Sequence, residues 1–307
     1  MKLIECVPNF SEGRDKAKIE AISSAIRSVQ EISLMDVDPG EGTNRTVYTF
    51  AGPPEALLEA AFRSIEKGVE LIDMRLQHGA HPRIGACDVC PFVPLLNATM
   101  QECVELAKKL GWRVGNELGI PVYLYAEAAA RSERKRLPDI RRGEYEGLKE
   151  KLKDPKWRPD FGPCEFNARS GATAVGARRV LVAFNVNLDT DDAGIAKRIA
   201  AEIRSSGSGS RRFESLEARG WFIPEYGRAQ VTTNILDIDA APLAAVFAAC
   251  SELAAEFGAS VTGSEIVGMV PERALADIDR LGLNDVSLFD PAQKILERAL
   301  GIPPLKL

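Results

Sequence analysis

The sequence predicts an α+β protein of two subdomains, each a mostly antiparallel sheet covered by helices. Two observations carry this. The order β-α-β-β-α is legible twice, beginning near residue 3 and again near residue 180. A chain of 307 residues, 45% apolar and 27% charged, has ordinary globular composition and enough length for two cores. The expected division is 1–179 and 180–307. The halves show no strong letter-for-letter identity, so the repeat is one of pattern.

In the first half, KLIECVPNF opens as a short apolar strand ending at Pro8 and Asn9. A helix over about residues 14–29 follows, with Ile19, Ile22, Ile26 and Val29 on one stripe. SLMDVD (33–38) reads as a strand, PGEGTN as a turn, and RTVYTFAG (45–52) alternates like a half-buried strand. Pro53 and Pro54 start a helix carrying Leu58, Phe62 and Ile65 on one side.

In the second half, VLVAFNVN (180–187) is a continuous apolar strand, and Ile195, Ile199 and Ile203 mark a helix. SSGSGS (205–210) is expected as a flexible loop. WFIP and AQVTTNILDID (229–239) read as strands. Pro242 starts a helix with Leu243, Val246, Phe247, Cys250, Leu253 and Phe257 on its core face. Between the halves, Thr99 and Glu102 form a T-x-x-E capping box for a helix over about 100–118. PVYLYAEA (121–128) is another strand. Residues 131–158 hold eleven Lys/Arg against six Asp/Glu. They are expected as a solvated helical face plus loop, with an anion-docking surface as the functional alternative.

Composition limits the function. The net charge of −5 gives no bulk attraction to nucleic acid or an anionic membrane. No apolar run approaches the roughly 20 residues that span a bilayer, and no signal-type leader is expected. Six scattered cysteines read as free thiols in a reducing, cytoplasmic setting. The two histidines, His78 and His81, share one segment, HGAHPRIGACDVCPF.

That segment is the densest chemical constellation, with His78, His81, Arg83, Asp88 and Cys90. Gly79, Pro82 and Gly85 make it a shaped loop, and a near-neutral imidazole can take or give a proton. Cys87 and Cys90 fit C-x-x-C, but with no second pair and all candidate ligands within 13 residues, no metal is expected. Cys90 as nucleophile with His81 as base stays open. GPCEFNARSGATAVGARR (162–179) is glycine-rich, so that Gly162, Gly171 and Gly176 would let backbone approach a flat ligand. It precedes a strand and lacks G-x-G-x-x-G, so a dinucleotide site is not supported. Asn9, Asp38, Asn44 and Arg45 in one half, and Asn185, Asn187 and Gln230 in the other, suggest two polar sheet surfaces facing across a cleft.

CVPNFSEGRD, DVDPGEGTNRTVYTFAG, LIDMRLQHGAHPRIGACDVCPFVP, GIPVYLYAEAA, GATAVGARRVLVAFNVNL, AQVTTNILD and GSEIVGMVP, in this order and over essentially the whole chain, resemble the glutamate formiminotransferase (formimidoyltransferase) family. Ala80 and Ile84 stand where the family often has Glu and Met. The resemblance implies two ferredoxin-like α/β subdomains meeting at a cleft. The implied reaction is transfer of the formimino group from N-formimino-L-glutamate to N5 of tetrahydrofolate, polyglutamylated or not, in histidine breakdown. It implies His81 as the catalytic residue and the stretch Gly162, Pro163, Cys164, Glu165, Phe166, Asn167, Ala168, Arg169, Ser170 and Gly171 as folate contacts, with Gly220 and Trp221. A homodimer is the family-based expectation. Animal relatives carry a cyclodeaminase domain for which 307 residues leave no room, so a separate protein is expected for that step.

By chemical type and position, His81 is assigned the proton shuttle, Asp38 the cationic amidine, and Arg45 and Arg83 the substrate carboxylates. Three rivals remain: a non-catalytic folate- or RNA-binding module, a formyl- rather than formimino-transferring relative acting with 5-formyltetrahydrofolate, and a Cys90–His81 hydrolase.

Overall fold

The computed structural model describes residues 2–205, 212–283 and 289–305. Most of the expected 205–210 loop lies outside them. The chain divides into two compact units, Met1–Arg179 and Val180–Leu307.

The first unit runs β1 (Leu3–Cys6), β2 (Asn9–Phe10), α1 (Lys16–Arg27), β3 (Ser33–Gly40), β4 (Arg45–Gly52), α2 (Pro54–Leu71) and β5 (Cys87–Leu96). β1 pairs antiparallel with both β4 and β5, and β3 with β4. The order β5-β1-β4-β3 is therefore ferredoxin-like. Two-residue β2 continues the line of β1, with Asn9 opposite both Val47 and Val89. An extension follows: α3 (Met100–Glu117), β6 (Val122–Ala126), α4 (Leu137–Arg141), α5 (Glu144–Lys151) and β7 (Thr173–Ala177). Here β7 lies parallel to both β5 and β6.

Helix starts follow the sequence signals. The Asp15 carboxylate accepts from the Ala17 and Lys18 N–H groups, and Thr99 and Glu102 form the complete capping box. Ile19, Ile22 and Ile26 of α1 and Leu58, Phe62 and Ile65 of α2 enter one core with Ile4, Cys6, Phe50, Cys90 and Phe92. The Phe10 and Tyr48 rings meet edge to face at 5.5 Å. Glu5, between Ile4 and Cys6, is turned to the opposite face of the sheet by strand alternation. It is buried, which, against a weaker pull from Arg178, raises its carboxyl to about 7.

Residues 131–158 depart from the solvated face expected of them. Ile140 of α4 and Leu148 of α5, with Leu152, pack on Val89, Tyr123, Tyr125 and Ala174 as a second apolar cluster. Those sheet residues alternate with the ones facing α3, so the segment closes the face that the long helices leave open. Arg134 is fully buried, ion-paired to Asp160 at 2.8 Å and set over the Tyr123 ring. Lys151 donates to the Asp139, Ile140 and Arg142 carbonyls around the end of α4. Burial pulls its ammonium down to about 8.

The second unit runs β8 (Val182–Leu188), α6 (Ala193–Ile203), β9 (Leu216–Ile223), β10 (Arg228–Ile235), α7 (Leu243–Glu256) and β11 (Val261–Val267), then short α8 (Pro291–Lys294) and α9 (Leu296–Leu300). Its order, β11-β8-β10-β9, repeats the same arrangement. Leu243, Val246, Ala249, Cys250 and Ala254 of α7 are buried against Phe184, Val186 and Val231, with Phe247, Leu253 and Phe257 at the margin.

Candidate active site

The histidine loop is tied down on both sides. Asn44, at φ 46°, bridges to the Gln77 side chain at 2.5 Å and the His78 carbonyl at 3.1 Å, and accepts the Gly13 N–H at 3.0 Å. Gln77 donates to buried Glu12 at 3.2 Å, and the Ala80 N–H reaches the Gly42 carbonyl at 3.1 Å. A Cβ on Gly79 would sit 2.1 Å from the Thr43 carbonyl, so a glycine is needed where the loop presses on the turn. His78 and Ala80 point outward and His81 is half-buried.

His81 Nδ1 lies 2.8 Å from the Pro82 carbonyl. A carbonyl only accepts, so in the neutral ring Nδ1 carries the proton and Nε2 the lone pair. Burial, then Arg45 and Arg141, push the imidazole well below its ordinary value, while Asp88 pulls the other way. The ring is therefore a neutral base at physiological pH.

Beneath it Asp88, on β5 and fully buried, accepts from Arg45 Nη1 at 2.6 Å, Arg141 Nη2 at 2.5 Å and the Ile84 N–H at 2.9 Å. Burial alone would raise this carboxyl, but the Arg141 and Arg45 guanidinium groups hold it far below the carboxylate range. Arg45 also donates to Asn9 Oδ1 at 2.9 Å. The structure thus brings together Asn9, Arg45 and Asp88, which the sequence singled out. It adds Arg141, which no sequence signal separated from the other basic residues of its segment.

Arg83 points elsewhere. It pairs with Glu146 at 2.6 Å and Glu144 at 3.1 Å and donates to the Gln77 carbonyl. With His78, Gly79 and Gly143 these residues line a groove of about 430 Å³. Asp38 lies half-buried on edge strand β3, opposite Val47.

The 162–171 stretch is a loop whose glycines are required by close packing. A Cβ on Gly162 (φ 79°) would meet the Ile120 carbonyl at 2.3 Å, and one on Gly171 (φ 69°) the Ile84 carbonyl at 2.2 Å. Gly176 is pressed against the Tyr125 ring. Close backbone approach is thus already used within the protein at all three. Cys164, Glu165, Ala168 and Arg169 are exposed, Pro163, Phe166 and Asn167 half-buried, and Ser170 buried. Asn167 Oδ1 accepts the Arg169 and Ser170 N–H groups. The Phe166 ring lies 5.5 Å from Tyr145, leaving a partly exposed aromatic pair on which a flat heterocycle can stack.

In the second unit Gly220 faces α6, whose Ala196 and Lys197 backbone leaves no space for a Cβ. Trp221 points to the other face and donates to Gln230 at 3.3 Å. There Gln230 donates to Asn187 and Glu265, Asn185 to Glu265, Thr232 to Asn185, and Tyr226 to Glu265, all at 2.6–3.1 Å. The polar residues noted in the sequence form one hydrogen-bonded sheet surface.

Cys90 is buried on the helix side of β5 with its sulfur 3.5 Å from Cys6. Burial, then Cys6, raise its thiol well above the ordinary value, which removes the basis for a thiolate nucleophile. Among the described residues no three His, Cys, Asp or Glu side chains converge as metal ligands, and no helix is long and apolar enough to cross a membrane.

Known proteins match this sequence along nearly its whole length. The family model described as formiminotransferase domain, N-terminal subdomain, matches residues 3–178, and that of the formiminotransferase domain matches 183–279. The chain is 47% identical to a formimidoyltransferase-cyclodeaminase of Dictyostelium discoideum over 96% of its own length, and spans 60% of that relative. It is 44% identical to a glutamate formimidoyltransferase of Thermoplasma acidophilum, covering 98% of both chains. It is 42% identical to one of Streptococcus pyogenes serotype M1, covering 97% of this chain and 99% of that one. By sequence, this chain belongs to the formiminotransferase family.

Proposed function

We propose that the chain transfers the formimino group of N-formimino-L-glutamate to N5 of tetrahydrofolate, giving 5-formiminotetrahydrofolate and glutamate, as a cytoplasmic step of histidine degradation performed by a homodimer. The observation that carries this is the end-to-end likeness to two chains named glutamate formimidoyltransferase. The chemistry needs one group that removes a proton from the attacking N5 and returns one to the departing glutamate nitrogen. His81 suits it: a neutral ring whose Nδ1 donates to Pro82, so that Nε2 is the basic nitrogen. Asp38 is assigned to the cationic amidine, and Arg45 and Arg83 to the donor's carboxylates. Of the two arginines, Arg83 already faces two carboxylates.

Residues 162–171, with the Phe166–Tyr145 pair, and Gly220 with Trp221 are the folate contacts in this scheme. Loaded tetrahydrofolate supplies the nucleophilic nitrogen. The protein supplies orientation, which accounts for a large part of the acceleration. Two buried arginines in the basic 131–158 segment, Arg134 and Arg141, support a structural role for it over an RNA-binding one.

A spectrophotometric turnover assay with N-formimino-L-glutamate and tetrahydrofolate tests the reaction, with N-formyl-L-glutamate as the competing donor. Turnover with the formimino donor that collapses in His81→Ala is expected. Turnover with the formyl donor alone would overturn the substrate assignment.

A further inference from the structure

Arginines and carboxylates are unevenly matched in the first unit. Arg83 faces two carboxylates, Glu144 and Glu146. Arg45 and Arg141 share one, and both reach the same Asp88 Oδ2, at 2.6 and 2.5 Å. The other Asp88 oxygen is taken by the Ile84 N–H. The cluster beside neutral His81 therefore keeps one excess positive charge, on side chains only 8% and 11% exposed. The Arg141 Nε is buried and has no hydrogen-bond partner among the described residues.

A buried charge without compensation is costly, and a buried N–H without an acceptor adds to that cost. One planar anion relieves both, because a guanidinium edge presents two parallel donors to a carboxylate. Only one carbon separates the α-carboxylate of the donor from the nitrogen that leaves. Fixing that carboxylate beside His81 brings the leaving nitrogen to the imidazole.

We propose that Arg141, with Arg45, forms the α-carboxylate subsite of the amino-acid donor. The proposal rests on the transfer reaction above and adds a specificity-determining residue to it. The basic segment then has a definite job. Its apolar residues close the sheet, Lys151 caps the carbonyls at the end of α4, and α4 delivers Arg141 to the substrate.

The test compares N-formimino-L-glutamate with N-formimino-4-aminobutyrate, which lacks only the α-carboxylate, in wild type and Arg141→Met. Wild type is expected to favour the first by about 10–10²-fold in kcat/KM, the scale of a charged hydrogen-bonded contact. Arg141→Met is expected to lose that preference, whatever its effect on the absolute rates, with the KM for tetrahydrofolate little changed. A purely structural role would lower both donors alike, and an unchanged donor ratio overturns the subsite while leaving the reaction intact. Asp88 keeps Arg45 and the Ile84 N–H in this variant, so folding is expected. Should it fail, the same ratio is read in Arg141→Lys, where a wild-type preference overturns the proposal. Calorimetric binding of L-glutamate separates the two ideas. Binding lost in Arg141→Met supports the subsite even if no transfer occurs, in which case the reaction alone is wrong.

Discussion

The two units share a strand order and differ in the sheet face that their long helices leave open. In the first, that face carries full charges: Asp88 between two arginines, Glu5 buried, and a neutral imidazole above. In the second, buried amides Asn185, Asn187 and Gln230, with Thr232, gather around Glu265, and Arg219 and Arg228 lie on the same face. Buried charges shift the proton affinities of their neighbours strongly, while a network of amides and hydroxyls fixes orientation. One fold, used twice, thus buries an ionic cluster in one unit and a hydrogen-bonded polar network in the other.

The comparison breaks most visibly at His81. His81→Ala is expected to lower kcat by about 10²–10⁴-fold, the scale of general acid–base catalysis, with folate titration unchanged. A variant within a few-fold of wild type would deny the charged face its chemistry. Next is Asp88→Ala, which leaves two buried guanidinium groups facing each other. A loss of about 3–5 kcal/mol of stability is expected in urea unfolding, and a cost below 1 kcal/mol would mean that the arginines find other partners.

Glu5 sharpens the contrast through pH. Its folded-state value is about 7 against 4.5 for the free group. The folded chain therefore keeps a proton that the unfolded chain releases, and this contribution is full below 4.5 and lost as pH rises toward 7. Glu5→Gln is expected to raise stability above pH 7 by about 2–3 kcal/mol and to be near neutral at pH 4.5. Equal effects at both pH values would show that packing, not ionisation, governs the site. His81 acts in the opposite sense. Its depressed value means that the unfolded chain takes up a proton first, so stability falls as pH drops below about 6.5. The smallest effect is expected in the second unit. Gln230→Ala removes its hydrogen bonds to Asn187 and Glu265 and should cost about 1–2 kcal/mol in the same unfolding experiment.

Much of this was legible in the sequence because period and punctuation agree. The α1 stripe, the Thr99 capping box and the Pro54 and Pro242 helix starts each combine a 3.6-residue pattern with a boundary signal. Strand β5 was not read, because Pro91 and Pro94 break the usual strand pattern and lack ladder donors, yet it lies inside the sheet between β1 and β7. The packing reason for the loop glycines is not legible either, because the Ile120 and Ile84 carbonyls they press against lie far away in the sequence. Arg141 was invisible for a different reason. Its meaning depends on Asp88, 53 residues away, and a basic run does not tell which of its members turns inward.

Five of the six thiols are buried, and Cys164 alone is exposed, near the start of the 162–171 loop. Thiol-reactive dyes should therefore label the folded chain at one position without prior mutagenesis. A fluorophore there would sit among the assigned folate contacts and report occupancy as a change in brightness, with no turnover required. The same loop would then serve as an optical gauge for ranking pterin analogues by titration.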